Sequence, residues 1–311
     1  LKGLLAYSTI SHLGLITLLL GLNSPLAAVA AVFHILNHAT FKASLFMAAG
    51  IIDHESGTRD IRKLSGLIKL IPFTATLAMV ASASMAGVPL LNGFLSKEMF
   101  FAETVFINAT AWVEISLPIV ATIAGMLSVA YSLRFTVDVF FGPPATELPH
   151  TPHEPPRWMR APVELLVFTC LLVGIFPAQI VGPLLAAAAL PVVGGELPEY
   201  SLAIWHGLNA PMIMSLIAMS GGIVLYLLLR NQLKRGRFKY PPLVGRFNGK
   251  RLFERSLVVM MRMARRVERR LGTRRLQMQL FLMVLAAVLA GLIPMLHSSL
   301  SWGDRPKIPG S

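Results

Sequence analysis

His34, His38 and Lys42 recur at i, i+4 and i+8 inside one apolar run, residues 26–52 (LAAVAAVFHILNHATFKASLFMAAGII). On a helix this spacing stacks the three side chains along one face. An ionisable group at the centre of a bilayer costs at least ~2.5 kcal/mol, so such groups face a protein interior or a water-filled path. A titratable stripe in an apolar helix therefore reads as a route for protons or ions. Histidine titrates near neutral pH and can pass a proton in either direction. Two histidines at i, i+4 are also a zinc-ligand spacing. Here the residues between them, Ile35, Leu36 and Asn37, supply no general base, and no third ligand is evident. Neither a metal site nor a cofactor is expected.

A second charged site follows a helix breaker. Residues 72–107 are too long for one straight crossing, because about 20 helical residues span the hydrocarbon. Their middle, GVPLLNGF, contains Pro89, Asn92 and Gly93. Proline removes a backbone donor and glycine loosens the helix, so one crossing made of two half-helices is predicted. Discontinuous helices mark transport sites. Lys97 and Glu98 open the second half (NGFLSKEMFF). Desolvation disfavours the charged form of an amine and a neighbouring carboxylate restores it, which suits a switchable proton holder; a snorkelling pair near an interface is the plainer reading. Lys2 starts the first span and reads as a snorkelling anchor. His12, flanked by Ser8 and Ser11, reads as a core histidine bonded to a hydroxyl. Arg134 and Asp138 are an i, i+4 pair that neutralises itself, and Glu164 marks the start of a span.

These residues need a membrane scaffold, and the composition supplies one. The chain is 55% hydrophobic and 14% charged, whereas soluble domains carry roughly 25% charged residues. The apolar stretches do not alternate with period two, which excludes a β-barrel. The fold class is all-α: a polytopic membrane bundle with one discontinuous helix and a basic amphipathic interfacial helix. Crossings are predicted at 4–21, 26–52, 72–107 (the broken one), 115–141, 162–190, 209–230 and 278–298.

Charge sets the orientation. Residues 230–275 hold 16 of the 28 Lys and Arg against Glu254 and Glu268, a net +14 that leaves the rest of the +13 chain at −1. Membrane spans flank that segment, so anionic headgroups and a cytoplasmic position fit it better than nucleic acid. With one broken crossing, loops 53–71, 142–161 and 231–277 share the basic side; loops 22–25, 108–114 and 191–208 carry Glu114, Glu196 and Glu199 and no Lys or Arg. Within the basic segment, residues 252–271 form an amphipathic helix, with Phe253, Leu257, Met260, Ala264, Val267 and Leu271 on one face and Arg255, Arg262, Arg266 and Arg269 on another. It is expected in the membrane interface or along partner helices. Loop 142–161 is proline-rich and reads as a stiff solvated connector, although His150 and His153 with Glu147 and Glu154 resemble a weak metal site. The single Cys170, in an apolar run, reads as a buried hydrophobe. The start, LKGLLAYSTISHLG, reads as the middle of a longer protein, and the polar stretch from Asp304 to Ser311 as a possible second cut end.

LKGLLAYSTISHLG, VFHILNHATFKASLFMAAG and ASASMAGVPLLNGFLSKEMFF, in that order over about the first 105 residues, resemble the proton-translocating antiporter module. That module is shared by respiratory complex I, membrane-bound hydrogenases and Mrp cation/proton antiporters. ELPHTPHEPPRWMRAPVELL and LAIWHGLNAPMIMSL are similar to the A-type subunit of Mrp-type Na+/H+ antiporters. The resemblance implies that Lys2 is the central lysine of a half-channel, that His34, His38 and Lys42 form the connecting hydrophilic axis, and that Lys97, with Glu98, is the terminal lysine at the broken helix. It implies four regions: residues 1–141 as the second inverted repeat, 142–230 as additional membrane helices, 231–277 as the basic lateral element on the cytoplasmic side, and 278–311 as a further helix and tail. The first repeat and a C-terminal extension are absent from this pattern. The implied activity is exchange of Na+ or another monovalent cation for H+, by a non-enzymatic subunit of a hetero-oligomeric Mrp complex in the bacterial inner membrane. The alternatives are a component of a redox-driven pump and an accessory component that does not itself transport.

Overall fold

The computed structural model describes residues 1–107, 109–145, 148–234, 249–271 and 276–297, and every regular element among them is helical. Helix α1 (Lys2–Gly21) turns through Leu22–Ser24 into α2 (Pro25–Ser56). Ser24 stops α1 from running on: its extended backbone and its Oγ, which accepts from the Ala27 N–H, cap α2, with Pro25 at the first helical position. The 32-residue α2 is the axis of the bundle and packs against α1, α3, α4, α6 and α8 as these are defined below.

Helices α3 (Pro72–Ala86) and α4 (Asn92–Val105) are separated by residues 87–91, where Gly87 (φ +89°) and Leu90 (φ +68°) adopt left-handed backbone. Left-handed backbone is ordinary for glycine and strained for leucine. The first turn of α3 has no cap from its own N-cap residue, Ile71. Glu154 reaches in from the proline-rich loop and accepts from the Phe73 N–H (2.6 Å), the Thr74 N–H (3.1 Å) and the Thr74 hydroxyl (3.0 Å). A carboxylate at a helix N-terminus satisfies free N–H groups and complements the dipole. His153 of the same loop lies 3.0 Å from Glu55 near the end of α2. The expected solvated connector is thus tied to the bundle at two points. Glu147 lies outside the described residues, and among those residues no group of three or more His, Cys, Asp or Glu could hold a metal ion.

Helix α5 (Ala111–Phe140) is followed by α6 (Arg157–Ile175), the single turn α7 (Pro177–Ile180), α8 (Gly182–Val193) and α9 (Ala210–Lys234). The sequence reading runs one continuous span through 162–190; the helix instead ends at Ile175, before Pro177, and resumes at Gly182. The reason is steric as well as prolyl. A Cβ on Gly174 would lie 2.2 Å from the Leu90 carbonyl oxygen, so the end of α6 is pressed against the break between α3 and α4. Small residues permit such close approach between membrane helices.

Among the described residues, five helices are long and apolar enough to cross a membrane: α1, α2, α5, α6 and residues 210–233 of α9. Helices α3 and α8 are shorter. A second compact unit begins at Phe238 and contains α10 (Gly249–Leu271) and α11 (Leu276–His297). Helix α10 is the basic amphipathic element. Residues 235–248, 272–275 and 298–311, which complete the basic loop and the polar tail, lie outside the described residues.

Candidate functional site

On α1, Leu5, Ser8, His12, Ile16 and Leu19 face inward at 3–4-residue spacing. On α2, the inward residues include His34, Asn37, Phe41 and Lys42. The two stripes meet. The His12 and His34 rings stack with centroids 5.2 Å apart, and His12 Nδ1 lies 3.0 Å from His34 Nε2. His38 packs 5.2 Å from His12, and the Phe41 ring is edge-on to all three imidazoles. His38 Nε2 is buried with no hydrogen-bond partner among the described residues.

From His12 the hydrogen bonds run in both directions. His12 Nε2 is 3.1 Å from the Tyr131 hydroxyl on α5. The Ser128 hydroxyl, one turn away, donates to Tyr131 (3.1 Å), and Lys97 Nζ donates to Ser128 (2.8 Å). On the other side, His34 Nδ1 is 3.0 Å from the Ser96 hydroxyl. Lys97, Ser128, Tyr131, His12, His34 and Ser96 are therefore one continuous hydrogen-bonded chain drawn from α1, α2, α4 and α5.

The broken helix positions Lys97. Its Nζ donates to the carbonyls of Met85 (2.8 Å) and Ala86 (2.9 Å), the last residues of α3. These carbonyls are free because the helix stops there, and they form the negative end of the α3 dipole. Gly87 leaves room: a Cβ there would meet Lys97 Cδ at 2.9 Å. The start of α4 is fixed by Ser84, whose hydroxyl donates to Asn92 and accepts from the Gly93 N–H at 3.2 Å, and by Asn92 Nδ2, which donates to Thr40 (2.8 Å). Lys42 approaches from α2; its Nζ donates to the Ser8 hydroxyl and lies 3.3 Å from Met85 Sδ. The two lysines thus converge on Met85.

Several residues named from sequence stand outside this chain. Lys2, assigned as a central lysine by resemblance, has a 45% exposed side chain and lies 3.4 Å from Asp53. It begins α1, ten residues below His12, which is about 15 Å along a helix. Glu98 points away from the chain into a cavity of about 300 Å³, where its Oε1 lies 3.7 Å from His206 Nδ1. Arg134 and Asp138 pair with each other at 3.6 Å, and Asp138 accepts from Tyr226 of α9 (3.0 Å).

His12, secondary in the sequence reading, is the junction of the site, and the reading missed Tyr131, Ser128 and Ser96. A signal existed for the α5 pair: Ser128, Tyr131, Arg134 and Asp138 recur every three or four residues along an apolar helix.

Residues 1–127 match the family described as NADH:quinone oxidoreductase/Mrp antiporter, TM. The chain is 64% identical to a probable K+/H+ antiporter protein of the A/B type from Rhizobium meliloti (strain 1021), over 95% of this chain and 30% of that protein. It is 42% identical to the A-type subunit of a Na+/H+ antiporter from Alkalihalophilus pseudofirmus, over 75% of this chain and 32% of that protein. It aligns over its full length with 33% of a chain in the Mrp complex from Dietzia sp. DQ12-45-1b, at 32% identity and a TM-score of 0.70. Respiratory complex I from Thermus thermophilus matches 63% of this chain and 40% of its own, at 26% identity and a TM-score of 0.51. The chain spans about a third of the length of the curated relatives it matches.

Proposed function

We propose that this chain, whose residues 1–127 match the NADH:quinone oxidoreductase/Mrp antiporter membrane family, carries the proton relay of a monovalent cation/proton antiporter. The observation that carries this reading is the unbroken hydrogen-bonded chain from Lys97 to Ser96, buried among apolar helices.

Its chemistry follows from donor and acceptor roles. Lys97 donates to Ser128 and Ser128 to Tyr131. With the Tyr131 O–H donating to His12 Nε2, the His12 Nδ1–H donates to His34 Nε2 and the His34 Nδ1–H donates to Ser96. One tautomer on each ring satisfies every link. A proton leaving Lys97 shifts the proton at each following link, and the positive charge comes to rest on an imidazole, the group suited to hold it. Reversing the tautomers resets the chain. Lys42 and His38 border this path. Charge on Lys42 disfavours charge on Lys97 and on the imidazoles, because repulsion is strong at low dielectric; this is the means by which a second charge movement drives the first.

In the whole protein, inward proton flow along this path drives cation efflux. The relatives' names divide the cation between K+ and Na+. The neighbouring subunits are those of an Mrp-type complex, and residues 231–277 face the cytoplasm, as the sixteen Lys and Arg of residues 230–275 favour. The relatives named as antiporters cover more of this chain than complex I does, which favours exchange over a redox pump. The test is Lys97→Ala in the full-length protein, with ΔpH-driven K+ and Na+ exchange measured in everted vesicles. Exchange falls by at least about a hundredfold, the range of a lost proton-transfer group, while a native gel reports an assembled complex. Undiminished exchange refutes the relay.

A further inference from the structure

We infer that Glu98 and His206 are the proton-exchange pair through which the relay meets water at the end of the bundle that carries the loops without Lys or Arg. This rests on the relay reading above and adds the exit that it lacks. Lys97 and Glu98 are consecutive on α4 and project about 100° apart around the helix. Lys97 turns to α3 and α5, whereas Glu98 turns to the cavity closed by residues 199–203, 206, 209 and 211. Glu98 is 6% exposed, so its carboxylate is surrounded by protein. Its nearest titratable partner among the described residues is the His206 imidazole at 3.7 Å, beyond hydrogen-bond distance. A buried carboxylate without a firm hydrogen bond can exchange a proton without first breaking one.

The cavity adjoins the relay. Phe33 and Leu95 line it, and their chain neighbours His34 and Ser96 are the last two groups of the hydrogen-bonded chain. Ser96, the chain's end, and Glu98 are two residues apart on α4. Most of the cavity wall is apolar, and Glu103, Glu199, Ser201 and Asn209 supply polar groups along it beyond Glu98. His206 is 34% exposed in its side chain, so it faces both the buried carboxylate and the surface. In the outward direction, a proton delivered from the chain binds a Glu98 carboxylate oxygen. Glu98 passes it to one ring nitrogen of His206, and the other nitrogen releases a proton to water. No charge is left on the pair; His206 ends as its other tautomer, and ring rotation resets it for the next proton.

The test uses the full-length antiporter in everted vesicles with His206→Ala, His206→Gln, Glu98→Gln and Lys97→Ala. In assembled His206→Ala complexes, the maximal exchange rate falls by about tenfold or more, as for loss of a proton-transfer group. The half-saturating K+ or Na+ concentration is unchanged. Imidazole added on the side to which the cavity opens restores the rate, which a purely structural lesion would not allow. His206→Gln, of similar size, keeps assembly and shows the same loss and the same rescue. Exchange in both His206 variants and Glu98→Gln within about twofold of the parent, with Lys97→Ala inactive, overturns the exit and leaves the relay standing. Loss without imidazole rescue also overturns it. Full activity in Lys97→Ala removes the relay and the exit together.

Discussion

The middle of the helical bundle and the end that carries its basic loops treat cations in opposite ways. At that end, Lys2 and Arg59 flank Asp53, Arg62 grips Asp60, and Arg160 lies between Glu154 and Glu164. Arg62 beside Asp60 holds that carboxyl well below the usual carboxylate range. In the middle, Lys42 and Lys97 are held by hydroxyls, main-chain carbonyls and a thioether, with no carboxylate in contact among the described residues. An ion pair fixes charge, because removing either charge leaves the other unmatched. Neutral acceptors and a helix dipole hold an ammonium while leaving its proton transferable. The difference separates anchoring cations from working ones, and Lys2 beside Asp53 against Lys97 shows that the partner decides it where the residue type is the same.

Erasing that difference has the largest expected effect. Ser128→Asp puts a carboxylate where a hydroxyl now accepts from Lys97 at 2.8 Å. The resulting buried pair pins the proton and also breaks the link to Tyr131. Exchange falls by at least about a hundredfold, measured as ΔpH-driven cation flux at saturating cation with assembly checked on a native gel. Ser128→Thr keeps the hydroxyl and most of the rate. If Ser128→Asp transports normally, the lack of a counter-ion in the middle has no functional meaning.

Tyr131→Phe sharpens the comparison at a single bond. It removes the oxygen that joins Ser128 to His12 and keeps the ring that packs in the core. Water can enter the space left by a hydroxyl and carry the proton less directly, so the loss is smaller, about tenfold. It shows in the maximal rate rather than in half-saturation for the cation. A rate equal to the parent's would show that protons reach His12 by a path independent of α5.

The sequence made part of this contrast legible. Helical periodicity placed His34, His38 and Lys42 on one face of α2, and the breakers Pro89 and Gly93 marked where Lys97 sits. Both readings use neighbours in sequence. The partners of those residues are set by packing between distant segments: Tyr131 meets His12 across 119 positions and Ser96 meets His34 across 62. No local pattern encodes such a meeting, although a polar stripe on an apolar helix announces that some partner exists. The end of α6 at Ile175 was hidden for the same reason. Pro177 alone permits a continued crossing with a kink; the approach of Gly174 to Leu90 belongs to tertiary structure. Glu154 looked like part of a solvated loop because the helix start that it caps lies eighty residues earlier in the chain.

Lys2 is the smallest expected effect and the sharpest test of reading by resemblance. By resemblance of the motif around it, Lys2 would be a central lysine, and that resemblance predicts that Lys2→Ala is as damaging as Lys97→Ala. The geometry predicts otherwise. The Lys2 side chain is 45% exposed, and its partner Asp53 is shared with Arg59, so the carboxylate keeps a cation when Lys2 is removed. An exposed pair of this kind is worth about 0–1 kcal/mol. Lys2→Ala in the full-length protein therefore leaves ΔpH-driven exchange within about twofold of the parent and assembly unchanged. Asp53→Asn, which deprives two cations at once, destabilises more than Lys2→Ala while still sparing exchange. A loss of exchange in Lys2→Ala comparable to that in Lys97→Ala would mean that position along the chain, rather than the absence of a carboxylate, decides which lysines carry protons.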